Sequence, residues 1–493
     1  MKRLFLLLTL ITLLPHTLSA QTTTTDSTWV DSLTGTRRHL QLLSPNDTLA
    51  LPKQNMFKPL VETLGINLAV WSWDHFLYDR RWADIDIHTI RRNLRSNFVL
   101  DYDSYSGNQF SHPFHGSMFF NAARHHGNNY WLSMAYPLIG SMTWEYFCER
   151  NPPSFNDFLS TGIGGAVIGE ATHRASDIIF DNTKTGFNRV LSELAGSLLN
   201  PARGVHRLVS GEAWRVSHSR GKRVQPEPFT FDVGLGYRGL HEMRGQHRDA
   251  HLGYLDFQLD YGDRYRTHQH PAPFDYFRVH LLINLAAGRS TFSDLDIRGR
   301  LLSHQWSTPR WNHDFGLHQV YRYIDNYGEK NNIRAGQYPC INEACSFGLA
   351  WASQHRTRRT LFDHELLASG IVFGGTTADY FMPRSYDFAQ GFSLRDELHF
   401  SFLRRCTLGN DFYFARMFVP KGSPDPYRPG DYYWGDQGNN SIFLNRSYLR
   451  VGLTDHLRLN AEYALYYRRS NYKHYHNVHA KSTELKVGLL YAM

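Results

Sequence analysis

From residue 229 to the end of the chain, apolar and polar residues alternate with a period of two, and this constrains the fold more than any other feature. In Leu457–Tyr467 one face carries Leu457, Leu459, Ala461, Tyr463, Leu465 and Tyr467, and the other Arg458, Asn460, Glu462 and Tyr466. The last segment sets Leu485, Val487, Leu489 and Tyr491 against Glu484, Lys486 and Gly488. Leu255, Phe257, Leu259 and Tyr261 alternate with Asp256, Gln258 and Asp260, and Phe277, Val279, Leu281, Ile283 and Leu285 with Arg278, His280 and Asn284. Leu295, Ile297 and Leu301 likewise oppose Asp296, Arg298 and Arg300. About twelve segments of this kind, each roughly 9 to 14 residues, match the length of a tilted membrane-spanning strand, and an even count suits a bacterial barrel. A soluble sandwich would also alternate. Here, however, the apolar faces end in tyrosine and phenylalanine, as an interfacial girdle does. The opposite faces mix acids with bases that can pair across a lumen.

The turn chemistry agrees. Thr454-Asp455-His456 is a short connection of the periplasmic kind, and Arg468 to Val478 reads as a longer outer loop, with Arg468, Arg469 and Lys473 facing lipid head groups or solvent. Cys340 and Cys345 fall in an expected outer loop, where they are placed to close a small disulfide. A mean hydropathy of −0.45 excludes a polytopic helical membrane protein, whose spans each need about 20 apolar residues. The net charge of +8 is spread along the chain without a basic run, so nucleic acid is not implied.

Met1-Lys2-Arg3, the apolar run Leu4–Leu14 and Leu18-Ser19-Ala20 form a signal peptide over residues 1–20. Residues 21–52 are polar and aperiodic and read as a flexible tether. Residues 53–215 read as a helical module and 225–493 as the barrel, giving an α+β chain. Within the module, Leu60, Leu64, Leu68 and Val70-Trp71 predict an amphipathic helix near residues 56–76. Pro152-Pro153 breaks the chain, and Ser154 with Asp157 predicts a new helix start. Gly165-x-x-x-Gly169 predicts that another backbone comes close to that face.

Several strings in order, Asn108-Gln-Phe-Ser-His112-Pro-Phe-His-Gly116, Ala122-Ala123-Arg124, Trp144-Glu145, Pro153-Ser154-Phe-Asn-Asp157, Gly169-Glu170 and Asn200-Pro-Ala-Arg-Gly204, resemble the family labelled domain of unknown function 3943. The resemblance spans roughly residues 100–208. It implies a cell-envelope protein of Gram-negative bacteria with a β-rich C-terminal half, and brings no activity with it.

The same module concentrates titratable residues: His112, His115, His125, His126, Glu145, Glu149, Asp157, Glu170, His173 and Asp177. On a helix, Glu170, His173 and Asp177 share a face, as do Glu145 and Glu149. Glu170-x-x-His173 is half of a carboxylate-bridged di-metal pattern, and it occurs once. His115, Glu145, Glu170 and His173 are therefore the candidate catalytic set, with a mononuclear metal centre as one use of them; the rival account pairs these groups structurally with Arg124, Arg150 and Arg174. His115-Gly116-Ser117 has the spacing of a lipase His-x-Ser element, in a helix rather than a strand. No other catalytic or cofactor signature stands in the sequence, so any cofactor is left open.

Three function classes follow. The first is an outer-membrane barrel with a periplasmic or membrane-associated helical module, structural or transport-related and not an enzyme. The second is a lipid-modifying hydrolase using the His/Glu set. The third is a docking module for another envelope protein. Outer-membrane lipids are the partner common to all three.

Overall fold

The computed structural model describes residues 26–34, 36–41, 49–78, 80–242, 249–268, 271–286, 290–326, 329–330, 333–334, 340–403, 405–422, 424–425 and 433–493. The signal peptide expected over residues 1–20 lies outside them. The chain forms two compact units, a helical one (mainly 41–101 and 106–226) and a barrel (227–493 with 27–40 and 102–105).

Two short strands open the described chain, β1 (Asp26–Val30) and β2 (Arg37–Gln41). The barrel follows with β3 (Phe229–Glu242), β4 (Ala250–Tyr261), β5 (Phe277–Leu285), β6 (Phe292–Ser307) and β7 (Trp311–Ile324). A two-residue ladder, β8 (Glu329–Lys330) with β9 (Ile333–Arg334), lies in the next connection. Then come β10 (Ile341–Arg356), β11 (Leu361–Thr377), β12 (Tyr386–Phe402), β13 (Cys406–Val419), β14 (Gly438–Gly452), β15 (Leu457–Tyr472) and β16 (Val478–Ala492). All neighbours are antiparallel, and β3 pairs with both β4 and β16, so twelve strands close on themselves. Closure leaves no unpaired edge, the condition for a sheet to cross a bilayer.

The alternation sets the two faces as expected. Leu459, Tyr463, Leu485, Val487, Leu489 and Tyr491 are exposed on the outside, whereas Arg458, Asn460, Glu462, Glu484 and Lys486 are buried inside. Aromatic side chains collect on the outer wall: Trp306, Trp311, Trp351 and Phe362 with interleaved histidines on strands β6–β11, and Phe392, Phe414, Phe443 and Tyr467 on β12–β15. Such belts hold a barrel at the two membrane interfaces. Not every apolar position follows the alternation: Leu255, Phe277, Ile283, Leu295 and Ile297 are buried, and Leu301 changes face. A bulge between Arg300 and Leu302 inserts Leu301, so Leu301 is buried and Leu302 faces out.

The lumen has two halves. Tyr413, Leu444 and Tyr466 lie in one cross-strand row and, with Met417, Ala415, Ile442, Ile371 and Ile341, form a buried apolar cluster. Below it Arg278, Arg298, Arg395 and Arg446 interleave with Asp296, Glu397, His399 and Glu462 around a cavity of about 250 Å³. A second space of about 670 Å³ lies beside it, lined partly by the same residues and by Arg264 and Arg356.

Residues 27–40, read from sequence as part of a flexible tether, instead form the β1–β2 hairpin at the end of the barrel where most turns are short. The cause is local: Asp31 accepts from the backbone of Leu33 and Thr34 and pairs with Arg356 at 2.6 Å, Arg405 N–H donates to the Leu33 carbonyl, and Arg37 reaches His456 at 2.9 Å. At the opposite end Tyr105 is fully buried, stacked on Tyr323 with ring centroids 5.0 Å apart, and donates to the Ile324 carbonyl. The disulfide expected between Cys340 and Cys345 is absent: Cys345 lies within β10, not in a loop, and the Cys340 thiol accepts from Thr377. Arg468 is likewise no loop residue. It points inward from β15 and pairs with Asp379 at 2.7 Å.

The helical unit contains α1 (Phe57–Phe76), α2 (Ile87–Asn93), α3 (His112–His125), α4 (Tyr130–Ser133), α5 (Ala135–Phe147), α6 (Phe155–Leu159), α7 (Gly165–Ile179), α8 (Gly186–Leu199) and α9 (Pro201–Ser210). Wide π turns, Gly107–Ser111 and Ser160–Gly164, lead into α3 and α7. The predicted close approach at the glycines is present. A Cβ on Gly165 would stand 2.7 Å from the Gly116 backbone, and one on Gly169 2.7 Å from the Phe120 ring. Helix α1 forms where expected, with its polarity reversed. Thr63 and Asn67 are buried (0% and 2% exposed), and Leu64 and Leu68 are exposed (46% and 60%). Asn67 donates to the Gly140 carbonyl and to Thr143 on α5. Helix α8 repeats the reversal, with Phe187, Val190, Leu194 and Leu198 outward and Arg189 and Ser192 inward. No helix among the described residues is long and apolar enough to cross a membrane.

Candidate functional site

Three features position the first polar cluster. The π turn before α3 presents Asn108, the first turn of α3 presents His112, and the Ser154 start of α6 presents Asn156 and Asp157. The backbone of Val99 bridges Ser154 and brings Asp101 alongside. Asp101 accepts from Asn108 at 2.5 Å and from Asn156 at 3.0 Å, and Asn156 also donates to Asp157 at 3.0 Å. His112 Nε2 lies 3.6 Å from Asp157, and Glu145 accepts the Ser154 N–H at 2.7 Å. Donor atoms of His112, Glu145 and Asp157 all fall within 4.8 Å of one another, close enough to share one cation. π turns often mark such places, because the extra residue redirects side chains.

The second cluster is ionic. Glu170, fully buried on α7, accepts from Arg124 at 2.8 and 3.1 Å and from Arg174 at 2.9 Å. Two turns on, Asp177 receives Arg203 at 2.6 Å and the backbone N–H groups of Arg223 and Val224. Burial works to raise the Asp177 carboxyl, but the charges of Arg203 and Lys222 outweigh it and hold the group below its usual range. Lys222 donates to the carbonyls of Ile178 and Phe180, closing the C-terminus of α7, where a cation is favoured. Burial pulls its ammonium down to about 8.

A third group contains histidines. His125 and His173 are buried with ring centroids 6.1 Å apart, and burial first, then neighbouring arginines, pushes both well below the ordinary imidazole range. His126 and His206 stand against Glu62 of α1.

The four sequence candidates therefore divide. Glu145 belongs with His112 and Asp157. His115 packs against Phe119 and Trp144, and burial, then His112, takes its imidazole down to about 3. Glu170 has its carboxylate engaged by two guanidinium groups, and His173 lies with His125. The rival account of arginine pairing describes Glu170 better than a metal-ligand account. Ser117 spends its hydroxyl on the Phe114 carbonyl at 2.6 Å, and Gly116 beside it presses on the Thr161 carbonyl, which leaves the His-x-Ser element a packing feature. Glu62, His206, Asp101 and Asn156 were not anticipated, because Glu62 lies 64 residues from His126 and 144 from His206, and Asp101 lies 55 from Asn156, so no local spacing records these pairings.

Residues 97–202 match the model of a family described as Domain of unknown function (DUF3943). That is the resemblance the motifs carried. No curated protein matches the chain. Among solved structures, the barrel is similar to the NanC porin (10% identity, 52% of this chain and 98% of that one, TM-score 0.25). It is also similar to an outer-membrane channel from Pseudomonas putida F1 (10%, 54% and 95%, TM-score 0.28) and to the translocator domain of an autotransporter from Neisseria meningitidis (9%, 53% and 88%, TM-score 0.23). The barrel itself rests on this chain's own register: twelve antiparallel strands, closed, apolar outside and charged inside. A closed barrel with an apolar outer wall is an outer-membrane protein in lipid.

Proposed function

We propose that the chain is a closed, structural or gated-transport barrel of the outer membrane whose helical module is itself membrane-associated. One observation carries this reading: both units expose many large apolar side chains and bury many charged ones. In the barrel that polarity follows from closure. In the helical module it runs opposite to a soluble domain, where Leu64, Leu68, Phe187 and Leu194 would face the core and Arg124, Glu170, Asp177 and Arg203 the water. In lipid the apolar wall carries no hydration penalty, and helix contacts come from small residues and interhelical hydrogen bonds, as at Gly116/Gly165 and Asn67. The Tyr413–Leu444–Tyr466 row supports a resting barrel that is not a wide diffusion pore. Spin labels at Leu64 and Leu194 are expected to meet oxygen dissolved in lipid and to be shielded from an aqueous nickel chelate. Equal access of the chelate to both would refute membrane association. In planar bilayers the wild-type chain should show little steady conductance, and Tyr413→Ala with Tyr466→Ala should raise it; a large wild-type conductance would refute the closed state.

The grouping of His112, Glu145 and Asp157 favours a second reading, lipid modification at that cluster rather than at the original four residues. His112→Ala, Glu145→Gln and Asp157→Asn would each change envelope lipid composition with the barrel intact. Unchanged lipids in all three would remove this reading.

A further inference from the structure

Three helical elements bring Glu62, His126 and His206 to one point, although the sequence separates the first from the last by 144 residues. Glu62 Oε2 lies 2.9 Å from His126 Nε2 and 3.8 Å from His206 Nδ1. Donors around a tetrahedral Zn²⁺ at 2.0–2.1 Å stand about 3.4 Å apart, and these two distances bracket that edge. The two rings, with centroids 5.0 Å apart, are nearly perpendicular at 87°, so they do not stack and their nitrogens meet at the carboxylate. The described ion pairs give Glu62 these two histidines and neither lysine nor arginine.

A second observation points the same way. His125, adjoining His126, is 1% exposed, and neither of its ring nitrogens has a hydrogen-bond partner; its centroid is 5.5 Å from that of His206. A buried polar atom left without a partner is destabilising, so a bare imidazole at this place calls for a ligand. Glu62, His126 and His206 keep 15–22% of their side-chain surface, enough to admit an ion and leave one position for water or a substrate atom.

We propose that Glu62, His126 and His206 form a divalent transition-metal site, with Zn²⁺ as the ion that two imidazoles and one carboxylate suit. His125 supplies a polar wall. The site is separate from the His112 cluster and stands whether or not that cluster has an activity.

The test uses the full chain in detergent, stripped with a chelator and titrated with Zn²⁺ by calorimetry and with Co²⁺ by visible absorption. The wild type should take up one ion per chain, with the strong absorption of four-coordinate cobalt. His206→Asn is the most telling variant, because it leaves the Glu62–His126 pair intact. It and Glu62→Gln should each weaken binding by at least about 100-fold, beyond the roughly 10–100-fold expected of an outer-sphere partner. His112→Ala should leave affinity unchanged. Circular dichroism and heat-modifiable mobility establish that each variant is folded. Absence of binding by the wild type, equal affinity in His206→Asn and Glu62→Gln, or loss of binding in His112→Ala instead would overturn the assignment.

Discussion

Glu170→Gln gives the sharpest test of the module's polar interior. The carboxylate is fully buried and bridges Arg124 and Arg174, both within 2.9 Å by their Nε atoms. The amide keeps the volume, removes the charge and turns an NH₂ toward one of two guanidinium groups. At an effective dielectric constant of about 20, each contact near 3 Å carries roughly 5 kcal/mol of Coulomb attraction before desolvation. The net loss on breaking such a buried pair is about 3–5 kcal/mol. For a domain of this size that corresponds to a fall in midpoint of roughly 10 °C. The measurement is the melting of the helical signal at 222 nm for the full chain in detergent, with the barrel followed separately by gel mobility. Replacing the whole triad, Glu170→Leu with Arg124→Met and Arg174→Met, should recover much of the loss, since the cost comes from stranded charge. A Glu170→Gln loss below about 1 kcal/mol would refute this account of the residue.

Acid should weaken the module through His115. Its folded pKa of about 3 lies below the unfolded value of about 6.5, so stability present above 6.5 is lost as pH falls, at up to about 1.4 kcal/mol per pH unit down to about 3. His115→Phe should flatten that slope between pH 7 and 5, and an unchanged slope would contradict it. Gly116→Ala puts a Cβ 2.0 Å from the Thr161 carbonyl and should destabilise by about 3 kcal/mol or more in proteolysis, whereas Gly65→Ala, with nothing within 4 Å, should be neutral or stabilising by up to about 1 kcal/mol. All four cysteines should take up maleimide after denaturation without reductant, and a protected pair would reveal a disulfide the strand geometry does not contain.

Most of the architecture was legible in residues 229–493 because strand alternation is local: Leu485 through Tyr491 declare both faces without reference to any partner strand. What failed there was set by distant contacts. Leu301 reverses its face at a bulge fixed by pairing with β7, Arg468 turns inward to meet Asp379, and residues 27–40 become strands by bonding to Arg356, Arg405 and His456. In the helical module the apolar period of α1 located the helix correctly, but which face is buried depends on whether water or lipid lies outside. The candidate residues divided for the same reason. Glu170 and Arg174 are one turn apart and their pairing is readable, whereas Glu62 finds His126 and His206 only after three helices assemble.

Gel mobility of urea-washed outer membranes, boiled against unboiled, tests the closed lipid-embedded barrel most directly. Twelve paired strands with no free edge should resist detergent until heated, so the unboiled chain should stay in the membrane and migrate differently from the boiled one. Identical mobility together with release by urea would contradict the account.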